Sequence, residues 1–317
     1  MTKVYMSRPL PDRVQEAARA ICDLEVRQIT TPLTDAEMRR VLQEYDVVVP
    51  TLGDMFSAAV FADVPSPRCK LLANFGVGYN HIDVAAARAA GIEVTNTPGA
   101  VTDATADTAL CLMLMTARRA GEGERLLRAG AWEGWHPTQL LGLHMSGKTV
   151  GIVGMGRIGQ AIARRCHFGF GMRVAYHSRS PKELDFPAER MPDLLSLAGA
   201  VDFVVLAVPG GAETHHLIGA AALTAMQPHA HLVNIARGNV VDEAALIAAL
   251  QAGEIAGAGL DVYEFEPQVP DALISMENVT LLPHLGTAAL EVREDMGLMS
   301  VANLKAFIDG NPLPNAV

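Results

Sequence analysis

Three short segments carry side chains that could bind and protonate an anionic carbonyl compound. They are Asn234-Ile235-Ala236-Arg237-Gly238, Asp261-Val262-Tyr263-Glu264-Phe265-Glu266-Pro267 and Pro283-His284-Leu285-Gly286. Each directly follows or overlaps the end of a run with strand character: Leu232–Ile235, Gly257–Leu260 and Thr280–Leu282. In open α/β sheets ligands bind beyond the carboxyl ends of strands, so Arg237, Glu266 and His284 are expected at one edge of one sheet. A 2-keto acid needs its carboxylate held, its carbonyl polarised and a proton delivered as hydride arrives. The planar fork of Arg237 can grip carboxylate and carbonyl oxygen together. Histidine titrates near neutral pH, which makes His284 the expected proton donor. Glu266 would stabilise the imidazolium and fix the ring. A single Arg after a strand is usually a surface charge, and most of the ten histidines, His215 and His216 among them, read as structural or solvated. Position, not residue type, singles out His284, and no metal site is expected.

A second constellation is Gly154-Met155-Gly156-Arg157-Ile158-Gly159, a GxGxxG pattern. Alone such a match is weak. Here it follows the strand-like run Thr149–Val153 and opens an Ala/Ile-rich helix, the context a dinucleotide cradle requires. Gly154 permits the tight turn, Gly156 lets a pyrophosphate approach the backbone, and Gly159 lets helix and strand pack closely. Free amides at the helix start then face the anion. After the second strand of this unit, NAD-binding versions place an Asp or Glu on the ribose hydroxyls. This chain has His177-Ser178-Arg179-Ser180 and no carboxylate. An Asp would repel a 2′-phosphate, whereas a hydroxyl and a guanidinium would bind it. NADPH is therefore expected in preference to NADH, the alternative being that Arg179 is only a solvated surface residue.

The elements that must position these groups follow a βα rhythm. Val4–Met6, Val47–Val49, Leu71–Asn74 and Ile92–Thr95 read as strands, and Asp12–Ile21, Asp35–Glu44 and Asp83–Ala90 as helices opening near acidic residues. A long helix of Ala, Leu and Met over Thr102–Arg119 is apolar on nearly every side, which suggests burial between domains or subunits. From Thr149 the rhythm restarts with six strands: Thr149–Val153, Arg173–Tyr176, Phe203–Ala207, Leu232–Ile235, Gly257–Leu260 and Thr280–Leu282. Alternating strands and helices imply parallel sheets covered on both faces. A closing helix, Ala288–Asp309, would turn Leu290, Met296, Met299, Leu304 and Phe307 inward, and Asn311–Ala316 reads as an exposed tail.

Bulk properties narrow the class. A chain of 317 residues suits two α/β domains, and with half its residues hydrophobic it can build sizeable cores. A formal net charge of −10 argues against sequence-independent nucleic-acid binding. Cys22, Cys69, Cys111 and Cys166 lie far apart and read as buried thiols in a reducing cytosol, not as a disulfide or zinc framework. The start, MTKVYMSRPL, lacks a signal peptide's apolar core, and no apolar run is long enough to span a bilayer. A cytoplasmic protein without membrane or nucleic-acid partners is expected.

These segments together resemble the D-isomer-specific 2-hydroxyacid dehydrogenases over nearly the full chain. The resemblance implies two doubly wound parallel-sheet α/β domains. A Rossmann cofactor domain (99–284) would be inserted into a flavodoxin-like substrate domain (1–98 plus 285–317), with the active site in the cleft between them. Asn74-Phe75-Gly76-Val77-Gly78-Tyr79-Asn80-His81-Ile82-Asp83 resembles the family's substrate loop. The resemblance implies that the Val77 and Gly78 amides bind the substrate carboxylate, although a purely structural Gly turn would look the same. It likewise assigns cofactor contacts to Thr105, Ile235, Ala236, Val208, Pro209, Thr214 and Gly286, and puts Asp261 near the nicotinamide amide. Asp107 stands where Glu is more usual, which affects only local helix contacts.

Within the family, Trp132-Glu133-Gly134-Trp135-His136-Pro137-Thr138 and His177-Ser178-Arg179-Ser180 are most similar to glyoxylate/hydroxypyruvate reductases. That similarity implies a homodimer in which Trp135 reaches the neighbouring subunit's active site; a hydrophobic dimer contact is the plainer role. It implies NADPH-dependent reduction of glyoxylate or hydroxypyruvate to glycolate or D-glycerate. The alternatives are another D-2-hydroxyacid dehydrogenase, acting on a larger keto acid or phosphoglycerate, and a dinucleotide-sensing binding protein of the same fold. A formate dehydrogenase pairs its His with Gln where Glu266 stands.

Overall fold

The computed structural model describes residues 1–317, which divide into two compact units: Met1–Val101 with Thr287–Val317, and Thr102–Gly286. The first unit holds a five-stranded parallel sheet of β1 (Lys3–Met6), β2 (Asp23–Val26), β3 (Val47–Val49), β4 (Leu71–Ala73) and β5 (Glu93–Thr95), in the order β2-β1-β3-β4-β5. Its connecting helices are α1 (Asp12–Arg19), α2 (Asp35–Glu44), α3 (Ala58–Ala62) and α4 (Val84–Ala89). The interior strands β3 and β4 are buried at every position, as a sheet covered on both faces requires. β2 is an edge strand of sequence DLEV that buries none of its residues fully, so it has no hydrophobic signature. α2 begins with a reciprocal capping box, in which Thr34 Oγ1 accepts from the Glu37 amide and Glu37 accepts from the Thr34 amide.

The second unit carries a seven-stranded parallel sheet. Its strands are β6 (Thr149–Val153), β7 (Arg173–His177), β8 (Glu189–Arg190), β9 (Phe203–Leu206), β10 (His231–Asn234), β11 (Gly257–Leu260) and β12 (Val279–Leu281), in the order β12-β11-β10-β9-β6-β7-β8. The order reverses between β6 and β9, which creates a crevice at their carboxyl ends. Helices α5 (Thr102–Ala117), α6 (Ala120–Arg128), α7 (Arg157–Phe170), α8 (Leu194–Ala200), α9 (Ala220–Ala225), α10 (Glu243–Ala252) and α11 (Asp271–Ser275) belong to this unit. Two hydrophobic cores result. One joins α5 and α7 to the sheet through Leu112, Met113, Ile152, Ile162, Phe203 and Val233. The other joins α8, α9 and α10 to it through Leu197, Leu223, Leu232, Leu246 and Leu260. The last helix, α12 (Leu290–Ile308), returns to the first unit and packs on α1 and β4.

Several expectations need correction. The second sheet has seven strands, because the two-residue β8 is too short to show a pattern. Cys111 is an exposed thiol, on a stripe of α5 that also carries Asp103, Asp107 and Leu114, while Cys22, Cys69 and Cys166 are buried. Leu290 is exposed, because it is the first residue of α12 and precedes the turns that pack. The C-terminal segment is largely exposed, as expected, but it is anchored. Ala316 bridges Thr95, the Asn96 amide donates to Asn315 O at 3.1 Å, and the Val317 amide donates to Val94 O at 3.0 Å. Backbone hydrogen bonds hold it, and these leave no trace in side-chain polarity. No helix is long and apolar enough to cross a membrane.

Candidate active site

All strands of the second sheet are parallel, so the segments after them emerge along one edge. Beyond β12, the imidazole of His284 meets the carboxylate of Glu266, which follows β11, with Nδ1 2.9 Å from Oε2. The other carboxylate oxygen of Glu266 accepts from the Tyr263 amide at 3.1 Å, so the acid is gripped at both oxygens. Burial opposes ionisation of Glu266, but the His284 hydrogen bond and charge, the Tyr263 amide and Arg237 outweigh it and hold its carboxyl below the usual range. An ionised partner at Nδ1 favours the ring's proton there and leaves Nε2 as the other ring nitrogen.

His284 itself sits at φ +54°, a left-handed backbone that few non-glycine residues adopt. Asp261 holds it there. Its carbonyl accepts from the His284 amide at 2.9 Å, and its two carboxylate oxygens accept from the Leu285 amide at 2.6 Å and the Gly286 amide at 2.8 Å. Burial pushes the Asp261 carboxyl up in pKa, against the pull of these two amides. Thr105 of α5 completes the brace by donating from Oγ1 to Gly286 O at 3.2 Å.

Arg237 follows β10 on a segment stiffened by Asn234, whose side chain accepts from the Ala236 amide at 3.0 Å and donates to Arg237 O at 3.0 Å. The guanidinium donates once, from Nη1 to Ala236 O at 2.7 Å, and forms no ion pair. Burial lowers its pKa, with Glu266 as the opposing influence. It is a half-buried cation whose remaining donors are directed to no protein acceptor, an arrangement suited to an incoming carboxylate. Ile235 and Ala236, between Asn234 and Arg237, are buried.

At the switch point, β6 leads into Gly154 and α7. Gly154 has φ +96°, and a Cβ there would lie 2.7 Å from Ala207 O; a Cβ on Gly159 would lie 2.1 Å from Gly154 O. Only glycine fits either position. A Cβ on Gly156, by contrast, would meet nothing within 4 Å, so the space above it is open. The side chain of Met155 is in the core, which leaves only its backbone to a ligand, and Arg157 and Ile158 form the first turn of α7, which has no side-chain cap. After β7, Ser178 Oγ donates to Ser180 O at 2.6 Å, and Arg179 is almost fully exposed, 3.5 Å from Glu213. Two further cations converge here: Lys182 Nζ donates to Ser180 Oγ at 3.0 Å, and Arg190 of β8 donates to Ser178 O at 3.1 Å. Neither was foreseen from the sequence: Arg190 lies on a two-residue edge strand and Lys182 in an irregular segment, and neither setting carries a pattern. Val208 and Pro209 follow β9, and the Thr214 hydroxyl closes their loop by donating to Pro209 O at 2.8 Å.

In the first unit, Asn74 Nδ2 donates to Gly76 O and Gly78 O, both at 3.1 Å, and Asn96 Nδ2 donates to Val77 O at 2.9 Å. The loop's carbonyls are thereby tied down, and the Val77 and Gly78 amides donate to no protein acceptor. Trp135 stands 80% exposed on the segment after α6 and takes no part in the His284 network.

Residues 110–286 match the model of the D-isomer specific 2-hydroxyacid dehydrogenase NAD binding domain. The chain is 44% identical to a glyoxylate reductase of Thermococcus onnurineus, over 99% of this chain and 95% of that one. The chain belongs to the D-isomer specific 2-hydroxyacid dehydrogenase family. Among solved structures, it is similar to an NADPH-dependent glyoxylate/hydroxypyruvate reductase from Sinorhizobium meliloti in complex with NADP and malonate. That match has a TM-score of 0.88 and 39% identity, over 100% of this chain and 96% of the other. It is also similar to the D-mandelate dehydrogenase of Rhodotorula graminis, with a TM-score of 0.86 and 31% identity, over 100% and 97% of the two chains.

The Asp261 brace of this dehydrogenase predicts a stability effect. Asp261→Asn keeps one acceptor for two amide donors, so unfolding stability should fall by about 1–3 kcal/mol. The urea midpoint measures it, and an unchanged midpoint would show that the brace is dispensable.

Proposed function

We propose that this enzyme reduces small 2-keto acids, glyoxylate and hydroxypyruvate, to glycolate and D-glycerate with NADPH. The observation that carries the reading is the unpaired, half-buried Arg237 on the same sheet edge as a His284 imidazole fixed by Glu266. One group can hold an anion and the other can deliver a proton.

The residues present fit a dinucleotide: Gly156 opens on free space, Gly154 and Gly159 permit the tight turn, and the first turn of α7 offers uncapped amides. When bound, the reduced nicotinamide supplies the hydride. Arg237 binds the substrate carboxylate and draws electron density toward the carbonyl oxygen. His284 gives its Nε2 proton to that oxygen as the carbonyl carbon accepts the hydride, which yields the hydroxyl. Glu266 keeps the ring oriented and steadies its charge before transfer. The Val77 and Gly78 amides are assigned to the substrate carboxylate, since they donate to nothing else. Asp261, Thr105, Ile235, Ala236, Val208, Pro209, Thr214 and Gly286 are assigned to the cofactor side.

The preference for NADPH rests on the segment after β7. It offers Ser178, Arg179 and Ser180, with Lys182 and Arg190 beside them, and none of the carboxylate that NAD-binding relatives place there. The Arg179–Glu213 pair is wholly exposed and weak, so a 2′-phosphate can displace Glu213. A homodimer fits the apolar groups exposed on α5, α6 and the segment after them, Leu114, Leu127, Trp132, Trp135 and Leu141, with Trp135 completing the partner's site. Free thiols fit a cytoplasmic setting.

Mixing the protein with NADPH and glyoxylate should deplete the NADPH absorbance; no oxidation across a panel of small 2-keto acids would contradict the proposal. His284→Ala should abolish turnover while NADPH still binds, and near-normal rates in that variant would rule out the assigned role. Ser178→Asp combined with Arg179→Ala should turn the kcat/KM ratio toward NADH by more than about tenfold, a change of roughly 1.4 kcal/mol. An unchanged ratio would refute the 2′-phosphate argument.

A further inference from the structure

His215, His216 and Glu264 take no part in the Glu266–His284 hydrogen bonds, and one potential ligand atom from each lies within 4.8 Å of the others. The two imidazoles stack with ring centroids 4.0 Å apart, and His216 Nε2 lies 2.6 Å from Glu264 Oε1. This juxtaposition is built into the backbone. His216 has φ +49°, an uncommon left-handed conformation for a non-glycine residue, which turns its ring back beside that of His215. The flanking chain is laced in place: the His216 amide donates to Asn239 O at 2.8 Å, the Ile218 amide to Val240 O at 3.0 Å, and the Asp242 amide to Ile218 O at 3.0 Å. Glu264 is fixed in turn, because its amide donates to Glu243 Oε1 at 2.8 Å.

The charge balance is a second and separate observation. Asp242 adds a second carboxylate beside Glu264, with Oδ2 4.0 Å from His216 Nδ1, and neither of the two pairs with a lysine or arginine. Beyond one backbone amide each, from Ala245 and Glu243, these carboxylates meet only the imidazoles, and a divalent cation would add balancing charge.

We propose that His215, His216 and Glu264 form a binding site for a divalent metal of the zinc class. Two imidazoles and one carboxylate make a set that suits Zn²⁺, with a fourth position for water. Bond lengths of roughly 2.0–2.2 Å put tetrahedral donor atoms about 3.3–3.6 Å apart. The 2.6 Å His216–Glu264 contact, now bridged by a proton, opens by under about an ångström when the metal takes the proton's place. Protons compete with the metal for imidazole and carboxylate, so binding weakens at acidic pH. The segment held, Asp261–Glu266, also carries Glu266, so the metal rigidifies the chain just before the His284 partner.

The test is calorimetric titration of chelator-treated full-length protein with Zn²⁺ alone, beside His215→Ala and Glu264→Gln. His215 is exposed and its replacement leaves the fold intact, as circular dichroism will verify. One Zn²⁺ per chain is expected for the natural protein, with each substitution weakening it by more than about tenfold, since the loss of even an outer partner of a metal ligand costs that much. A Zn²⁺-dependent rise in melting temperature should vanish in both variants. No binding by the natural protein would overturn the proposal, and so would equal binding by the natural protein and both variants. Because Zn²⁺ binding is read without turnover, failure here leaves the assignment of His284 untouched, and the reverse.

Discussion

The Asp261 side chain, set at the end of an interior strand, accepts from two successive amides while its backbone carbonyl accepts from the amide just before them. Those three bonds hold His284 in a left-handed backbone that it would otherwise avoid. The ring's direction, its meeting with Glu266 and the brace from Thr105 all depend on that turn. An aspartate in this place does structural work whatever else it touches. Its carboxyl carries the mark of the arrangement, since burial raises its pKa while the two amides lower it.

A second constraint is how an acidic protein handles anions. The chain carries a formal charge of −10, yet the groups assigned to bind carboxylate and phosphate are locally electropositive. Arg237 is kept unpaired and half-buried, where a guanidinium gains most from a charged partner. The groups assigned to phosphate are backbone amides of the uncapped α7 start and a small basic cluster of Arg179, Lys182 and Arg190 around the segment after β7. The carboxylates nearest the reaction groups are committed elsewhere: Glu266 to His284 and Tyr263, and Asp261 to its amides.

Much of this was legible in the sequence where chemistry dictates residue type. The glycines of the cradle can be read because Gly154 and Gly159 allow no Cβ, and their context of strand and helix is local. Arg237, Glu266 and His284 could be placed because each follows a strand whose direction the βα rhythm settles. Features held by backbone hydrogen bonds or by length alone were not legible. β2 and β8 are edge strands without an apolar face, α3 is a five-residue helix, and the C-terminal segment is anchored through Asn96, Asn315 and Val317 backbone groups. The left-handed turns at His284 and His216 are invisible for the same reason, since nothing in their residue type announces a positive φ. The second of them underlies the stacked His215–His216 pair proposed as metal ligands.

His284, held by Glu266, is the proposed proton donor. The direct measurement is the pH dependence of kcat for keto-acid reduction in Glu266→Gln beside the natural enzyme. Removing the carboxylate charge while keeping a hydrogen-bonding side chain should move the alkaline limb of the profile to lower pH and reduce kcat by about 10²–10⁴-fold, the range ordinarily supplied by positioned acid–base groups. An alkaline limb that stays in place, with kcat undiminished, would contradict it.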